Sequence, residues 1–67
     1  MELSARNQLK AKVKSVRSEG VMAEVVMDLG GQEVVATITK GSADRLRLKA
    51  GDAVVAIVKA SEVIIGK

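Results

Sequence analysis

Val21-Met22-Ala23-Glu24-Val25-Val26-Met27-Asp28-Leu29, followed by Gly30-Gly31 and then by Gln32 to Thr39, decides the fold of this chain. The odd positions from Val21 to Leu29 are uniformly apolar, the two-residue period of a strand that buries one face. Gly30-Gly31 supplies the positive φ angles that a tight hairpin needs, so the stretch predicts a β-hairpin into Gln32–Thr39. In the returning arm Val34, Ala36 and Ile38 share one face. Val35, Thr37 and Thr39 share the other, which is only partly polar, and part of it is expected to be covered.

Toward the N-terminus, Leu9-Lys10-Ala11-Lys12-Val13-Lys14 alternates again, with lysines on one face and Leu9, Ala11 and Val13 on the other. Val16 then falls on the lysine side. A bulge beyond Ser15, of the kind that curves barrel strands, accounts for the slip, and Gly20 permits the next turn.

Toward the C-terminus, Ser42-Ala43-Asp44-Arg45-Leu46 reads as a short helix capped by Ser42, with Asp44 near the positive end of its dipole and Gly51 providing a left-handed turn soon after. Asp52–Val58 is apolar on both faces, which in a small antiparallel domain implies that its outer face meets another subunit. Ser61–Ile65 is short and β-branched and forms the last strand. The order β-β-β-α-β-β predicts an all-β fold, an OB-like five-stranded Greek-key barrel with one short helix between strands 3 and 4, the helix plugging one end. The whole chain, residues 1–67, is read as a single domain.

A domain of this size hides only about 60% of the surface exposed by its unfolded chain. With no cysteine, aromatic residue, proline or histidine among its 67 residues, this one has neither disulfides nor the usual zinc ligands to reinforce it. Self-association is the remaining source of stability. Met1-Glu2-Leu3-Ser4-Ala5-Arg6 holds no signal-peptide run and no stretch is long enough to cross a bilayer, so a cytoplasmic protein without membrane contact is expected. The net charge of +3 suits an anionic partner, although so small a bias is also common in proteins that bind nothing charged.

Absence of histidine and cysteine removes the commonest general base and the best nucleophile near neutral pH, which argues against an enzyme. The carboxylates are scattered along polar faces and turns without metal-ligand spacing. A nucleic-acid-binding OB module using Lys10, Lys12 and Lys14 is one alternative, but such modules stack bases on aromatic side chains and none exists here. A purely structural oligomerisation domain is another.

Three polar clusters at strand ends collect hydrogen-bond donors: Ser4-Ala5-Arg6-Asn7, Thr39-Lys40-Gly41-Ser42 and Lys59-Ala60-Ser61. Each is either ordinary cap and turn chemistry or part of an anion site, formed where clusters converge on one rim or across a subunit boundary. The second also lies at the expected helix start.

Ser4-Ala5-Arg6-Asn7-Gln8-Leu9 and Lys59-Ala60-Ser61 resemble the two hallmark segments of the Mop, or molybdate-binding, domain family, whose free-standing single-domain members are called molbindins. Val21-Met22-Ala23-Glu24-Val25, Ala36-Thr37-Ile38-Thr39 and Gly51-Asp52-Ala53-Val54 resemble its second, third and fourth strands, so the likeness covers essentially the whole chain. The resemblance implies an OB-like barrel assembled as a hexamer, a trimer of dimers, which stores molybdate or tungstate as a ligand, with no cofactor. It sets Ser4 and Arg6 of one subunit against Thr39, Ser42, Lys59, Ala60 and Ser61 of a neighbour, with Asn7 as a further site residue. In these roles Arg6 and Lys59 offset the dianion's charge, the hydroxyls donate, and Ala60 acts through its backbone. Neutral donors suit a fully ionised oxyanion, while discrimination from sulfate is left to cavity size. Lys40-Gly41 departs from the acidic residue expected before Ser42, and the residues of the family's second kind of site, near the three-fold axis, are left unassigned in this sequence.

Overall fold

In a computed structural model of the chain, which describes residues 2–67, the hairpin is formed by β2 (Met22–Asp28) and β3 (Glu33–Thr39), antiparallel from Met22 opposite Thr39 to Asp28 opposite Glu33. Met1, the first residue of the segment in which no signal peptide was read, lies outside the described residues. Gly30 and Gly31 sit at φ +90° and +106°, and both of their N–H groups donate to the Asp28 Oδ1. A side chain at either φ would be strained, which is why the turn needs glycine.

β1 (Asn7–Glu19) is long enough to pair twice. Its first half, Asn7–Lys12, runs antiparallel to β4 (Ala53–Val58), and its second half, from Lys12 to Glu19, runs antiparallel to β2. Between Val13 and Ser15 the register shifts by one residue, a bulge one position earlier than the sequence pattern indicates. The bulge returns Val16 to the inner face and bends the strand. The sheet order is β3-β2-β1-β4, so β1 and β2 form its centre.

Val13, Val25, Met27 and Ala56 are the buried heart of the sheet's concave face, with Ala11, Val16, Val34, Ala36, Ile38, Leu48 and Val54 packed on them. Each valine, leucine, isoleucine or methionine among them contributes about 1.5–3 kcal/mol when fully buried, and each alanine less. Many of these are only half-buried, because β3 and β4 remain the two edges of the sheet and an apolar trough of about 350 Å³ opens between them, lined among others by Val34, Ile38, Leu48 and Val54.

The all-β class, the curl and the single helix between the third and fourth strands stand, but the sheet has four strands rather than five. After Val58 the chain makes a 310 turn at Ala60–Glu62, closed by Glu62 N–H to the Lys59 carbonyl and Val63 N–H to the Ala60 carbonyl, and Val63–Ile65 pairs with no strand among the described residues. β-Branched residues favour an extended backbone, yet a strand exists only where a neighbouring ladder accepts its hydrogen bonds. Ile64 and Ile65 are 92% and 85% exposed.

The helix α1 (Lys40–Arg45) also starts earlier than the sequence suggests, and its N-cap is Thr39 rather than Ser42. The Thr39 hydroxyl accepts the Ser42 N–H at 3.0 Å, the third-residue bond of a helix cap. Asp44 consequently sits beyond the first turn and pairs with Lys40 at 3.2 Å instead of meeting the dipole. Ala43 is the one buried residue of the helix, which packs on β2 and β3. The helix ends in a Schellman pair, Leu48 N–H to the Ala43 carbonyl and Arg47 N–H to the Asp44 carbonyl, with Arg47 at φ +52°.

Candidate functional site

Antiparallel pairing of β1 with β4 fixes where the two ends of the chain meet. Asn7 lies opposite Val58, so the residues before Asn7 and those after Val58 leave the sheet side by side. The Asn7 side-chain amide donates to the Val58 carbonyl at 3.0 Å, and the Gln8 amide donates to the Ala5 carbonyl at 3.0 Å, tying the first segment down. The result is a shallow cleft of about 260 Å³ lined by Ser4, Ala5, Arg6, Lys59, Ala60 and Ser61.

This lining holds two cations, two hydroxyls and no carboxylate. The 310 turn adds to it. Its own bonds begin at Glu62 and Val63, so that among the described residues the N–H groups of Ala60 and Ser61 stand as the unpaired donors of a helical start. Donors without acceptors, and positive charge without compensation, favour a small oxyanion that is fully ionised. Asn7 differs from its neighbours: its amide is engaged with Val58, so it shapes the cleft from behind rather than lining it.

Thr39 and Ser42 lie elsewhere in the chain. Thr39 stands opposite Met22, which stands opposite Glu19, so this pair sits at the far end of β1 from Arg6 and Lys59. Within one chain the structure unites Ser4, Arg6, Lys59, Ala60 and Ser61, which the resemblance divides between two subunits, and keeps Thr39 and Ser42 apart from them. The Thr39 hydroxyl donates to the Ser42 Oγ at 2.8 Å, and Arg45 Nη2 donates to the same oxygen at 3.1 Å. Arg45 was not singled out from the sequence; its spacing of three residues from Ser42 on a helix is the signal that would have found it.

The lysine row is less positive than its sequence suggests. Lys14 forms an ion pair with Glu33 across the sheet, and the hydrogen bond that Lys14 donates to the Glu33 carboxylate, followed by the charge of that carboxylate, raises the lysine's pKa. Lys12 stands opposite Asp28, whose carboxyl is held below its ordinary value chiefly by the Gly31 and Gly30 N–H groups, with Lys14 and Lys12 adding to it. Arg17 is likewise opposite Glu24. A second polar depression, lined by Arg17, Glu19, Glu24 and Thr37 among others, has mixed charge and so lacks the one-signed character of the first. Among the described residues no group of acidic side chains is arranged to hold a metal ion, and no helix is long and apolar enough to cross a membrane.

The model of the TOBE domain family matches residues 3–65. A probable molybdenum-pterin-binding protein of Haemophilus influenzae is 42% identical over 67 residues, covering 98% of this chain and 97% of the relative. Among solved structures, a molybdate-binding protein from Sporomusa ovata superposes with a TM-score of 0.95 at 48% identity, covering 100% of both chains. The cytoplasmic molybdate-binding protein ModG, with molybdate bound, superposes with a TM-score of 0.89 at 42% identity over 96% of this chain and 46% of its own.

Proposed function

Because the chain belongs to the TOBE domain family, we propose that it binds molybdate or tungstate as a ligand and serves as an intracellular store for that oxyanion, without chemistry of its own. The observation that carries this reading is the cleft where the chain's two ends meet: Ser4, Arg6, Lys59 and Ser61 surround one small space with cations and hydroxyls, and no carboxylate lines it. Arg6 and Lys59 offset the dianion's charge, Ser4 and Ser61 donate from their hydroxyls, and Ala60 donates through its backbone.

In this reading residues 1–67 act as one domain of a homohexamer, a trimer of dimers, and Thr39 and Ser42 of a neighbouring copy close over the cleft that a single chain leaves open. The open trough between β3 and β4 and the outward, partly exposed Val55 and Ile57 favour such an assembly, since apolar surface of this kind is stabilised by burial against another subunit. A cytoplasmic location is part of the same proposal.

Isothermal titration of the purified protein with sodium molybdate tests the reading. Saturable heat that persists in excess sulfate is expected, and no heat with either molybdate or tungstate overturns it.

A further inference from the structure

We propose that Arg45 of a neighbouring copy belongs to the oxyanion site: it positions that copy's Ser42 hydroxyl and adds a third positive charge to those of Arg6 and Lys59, so that the site prefers doubly over singly charged oxyanions. This inference rests on the molybdate-binding reading above and on the part given there to Ser42.

A hydroxyl has one proton to give and two lone pairs to fill. On Ser42 both lone pairs are engaged, one by the Thr39 hydroxyl at 2.8 Å and one by Arg45 Nη2 at 3.1 Å. Its proton is therefore the part left for a ligand, and a ligand that only accepts is the one it suits. Without Arg45 the oxygen has a vacant acceptor position and the hydroxyl turns more freely. The guanidinium cannot act as an acceptor, so the polarity of this contact is settled by its chemistry.

The charge is also held close to that hydroxyl. A Cβ built on Gly41 would stand 3.8 Å from Arg45 Nη1, which places the guanidinium over the first turn of α1 rather than out along the side chain's full reach. On the same helix Lys40 and Asp44 pair at 3.2 Å and offset one another, and among the described residues no carboxylate pairs with Arg45. The net charge that α1 offers a ligand near Ser42 is that of Arg45.

Coulombic attraction to a dianion is twice that to a monoanion at the same distance. Molybdate and perrhenate, both tetrahedral and carrying two charges and one respectively, therefore separate charge from shape. The intact protein and its Arg45→Gln, Arg45→Lys and Ser42→Ala variants are titrated calorimetrically with both anions. Arg45→Gln is expected to weaken molybdate about tenfold and perrhenate about threefold, the square root of that factor, as expected when the Coulombic energy is halved. Arg45→Lys is expected to keep the ratio of the two affinities close to that of the unaltered protein.

Equal losses for the two anions in Arg45→Gln would overturn the charge role. Unchanged molybdate affinity in Arg45→Gln, with a loss in Ser42→Ala, would overturn the proposal and leave the molybdate site standing. No molybdate heat from the unaltered protein would overturn both.

Discussion

Asn7 and Val58 are the outermost cross-strand pair of β1 and β4, and the Asn7 amide closes that pair with a 3.0 Å bond to the Val58 carbonyl. Arg6 and Lys59 are the next residues along each chain segment, so this bond sets how far apart the two cations of the cleft stand. A part-buried hydrogen bond of this kind contributes about 1 kcal/mol. Asn7→Ala is therefore expected to weaken molybdate binding about fivefold by loosening the cleft. Calorimetry checks the affinity, and an unchanged value would mean that the backbone pairing alone holds Arg6 and Lys59 in place.

Arg6→Ala and Lys59→Ala remove charge from an exposed cleft that no core residue lines. Each is expected to weaken molybdate by about tenfold, equivalent to roughly 1.4 kcal/mol, with little change in melting temperature. Titration at two salt concentrations adds a second reading: the salt dependence of affinity is expected to be shallower in both variants.

Arg47 occupies a left-handed conformation at the position of the Schellman motif where glycine is usual. Relief of that strain outweighs the added freedom of the unfolded chain, so Arg47→Gly is expected to stabilise the protein by about 0.5–1 kcal/mol. Denaturant unfolding monitored by circular dichroism measures it. A destabilised variant would show that the arginine side chain makes a compensating contact.

Asp28 binds the turn of the hairpin through Gly30 and Gly31, and its carboxyl pKa is depressed in the folded protein. A carboxyl whose folded pKa lies below its unfolded value stabilises the fold above the unfolded value, and that contribution is lost as pH falls through the depressed folded one. Stability is thus expected to decline on acidification below the ordinary carboxylate range. In Asp28→Asn this part of the decline is expected to disappear, as read from melting temperatures across an acid pH series.

Val55 and Ile57 face outward from β4, beside Lys10 and Gln8 on the neighbouring strand. Replacing both with lysine adds charge to an outer face that the proposed assembly buries, whereas the core residues Val54 and Ala56 on the opposite face are untouched. The double variant is expected to have a smaller native mass by mass spectrometry while keeping its β-sheet circular dichroism. An unaltered mass would place the subunit contact on another face.

The hairpin was legible because Ala23, Val25 and Met27 obey a two-residue period and because Gly30-Gly31 has a conformational role that few residues can fill. The bulge was legible to within one residue for a similar reason, since it restores Val16 to the inner face. The fifth strand was misread because Val63, Ile64 and Ile65 have strand propensity but no partner ladder within the chain. The helix start was misplaced because Thr39 and Ser42 are both good caps, and only the hydrogen bond between them distinguishes cap from third residue. The left-handed Arg47 carries no local signal at all.

Of the candidate site, the donor clusters were visible as residue types, but their convergence was not. Arg6 and Lys59 are far apart in sequence and become neighbours only through the pairing of the start of β1 with the end of β4. That pairing is a property of the sheet rather than of either segment, so resemblance to a family marked the segments before any local rule could join them. Arg45 escaped because charge on a short exposed helix has the ordinary function of solvation.

A crystal of the protein grown with molybdate, with diffraction recorded near the molybdenum absorption edge, places the guest directly. An anomalous peak between the Arg6 guanidinium and the Lys59 ammonium, within hydrogen-bonding reach of the Ser4 and Ser61 hydroxyls, is the expected result. A fully occupied molybdenum peak remote from both cations, with the space between them holding only water, would contradict the assignment.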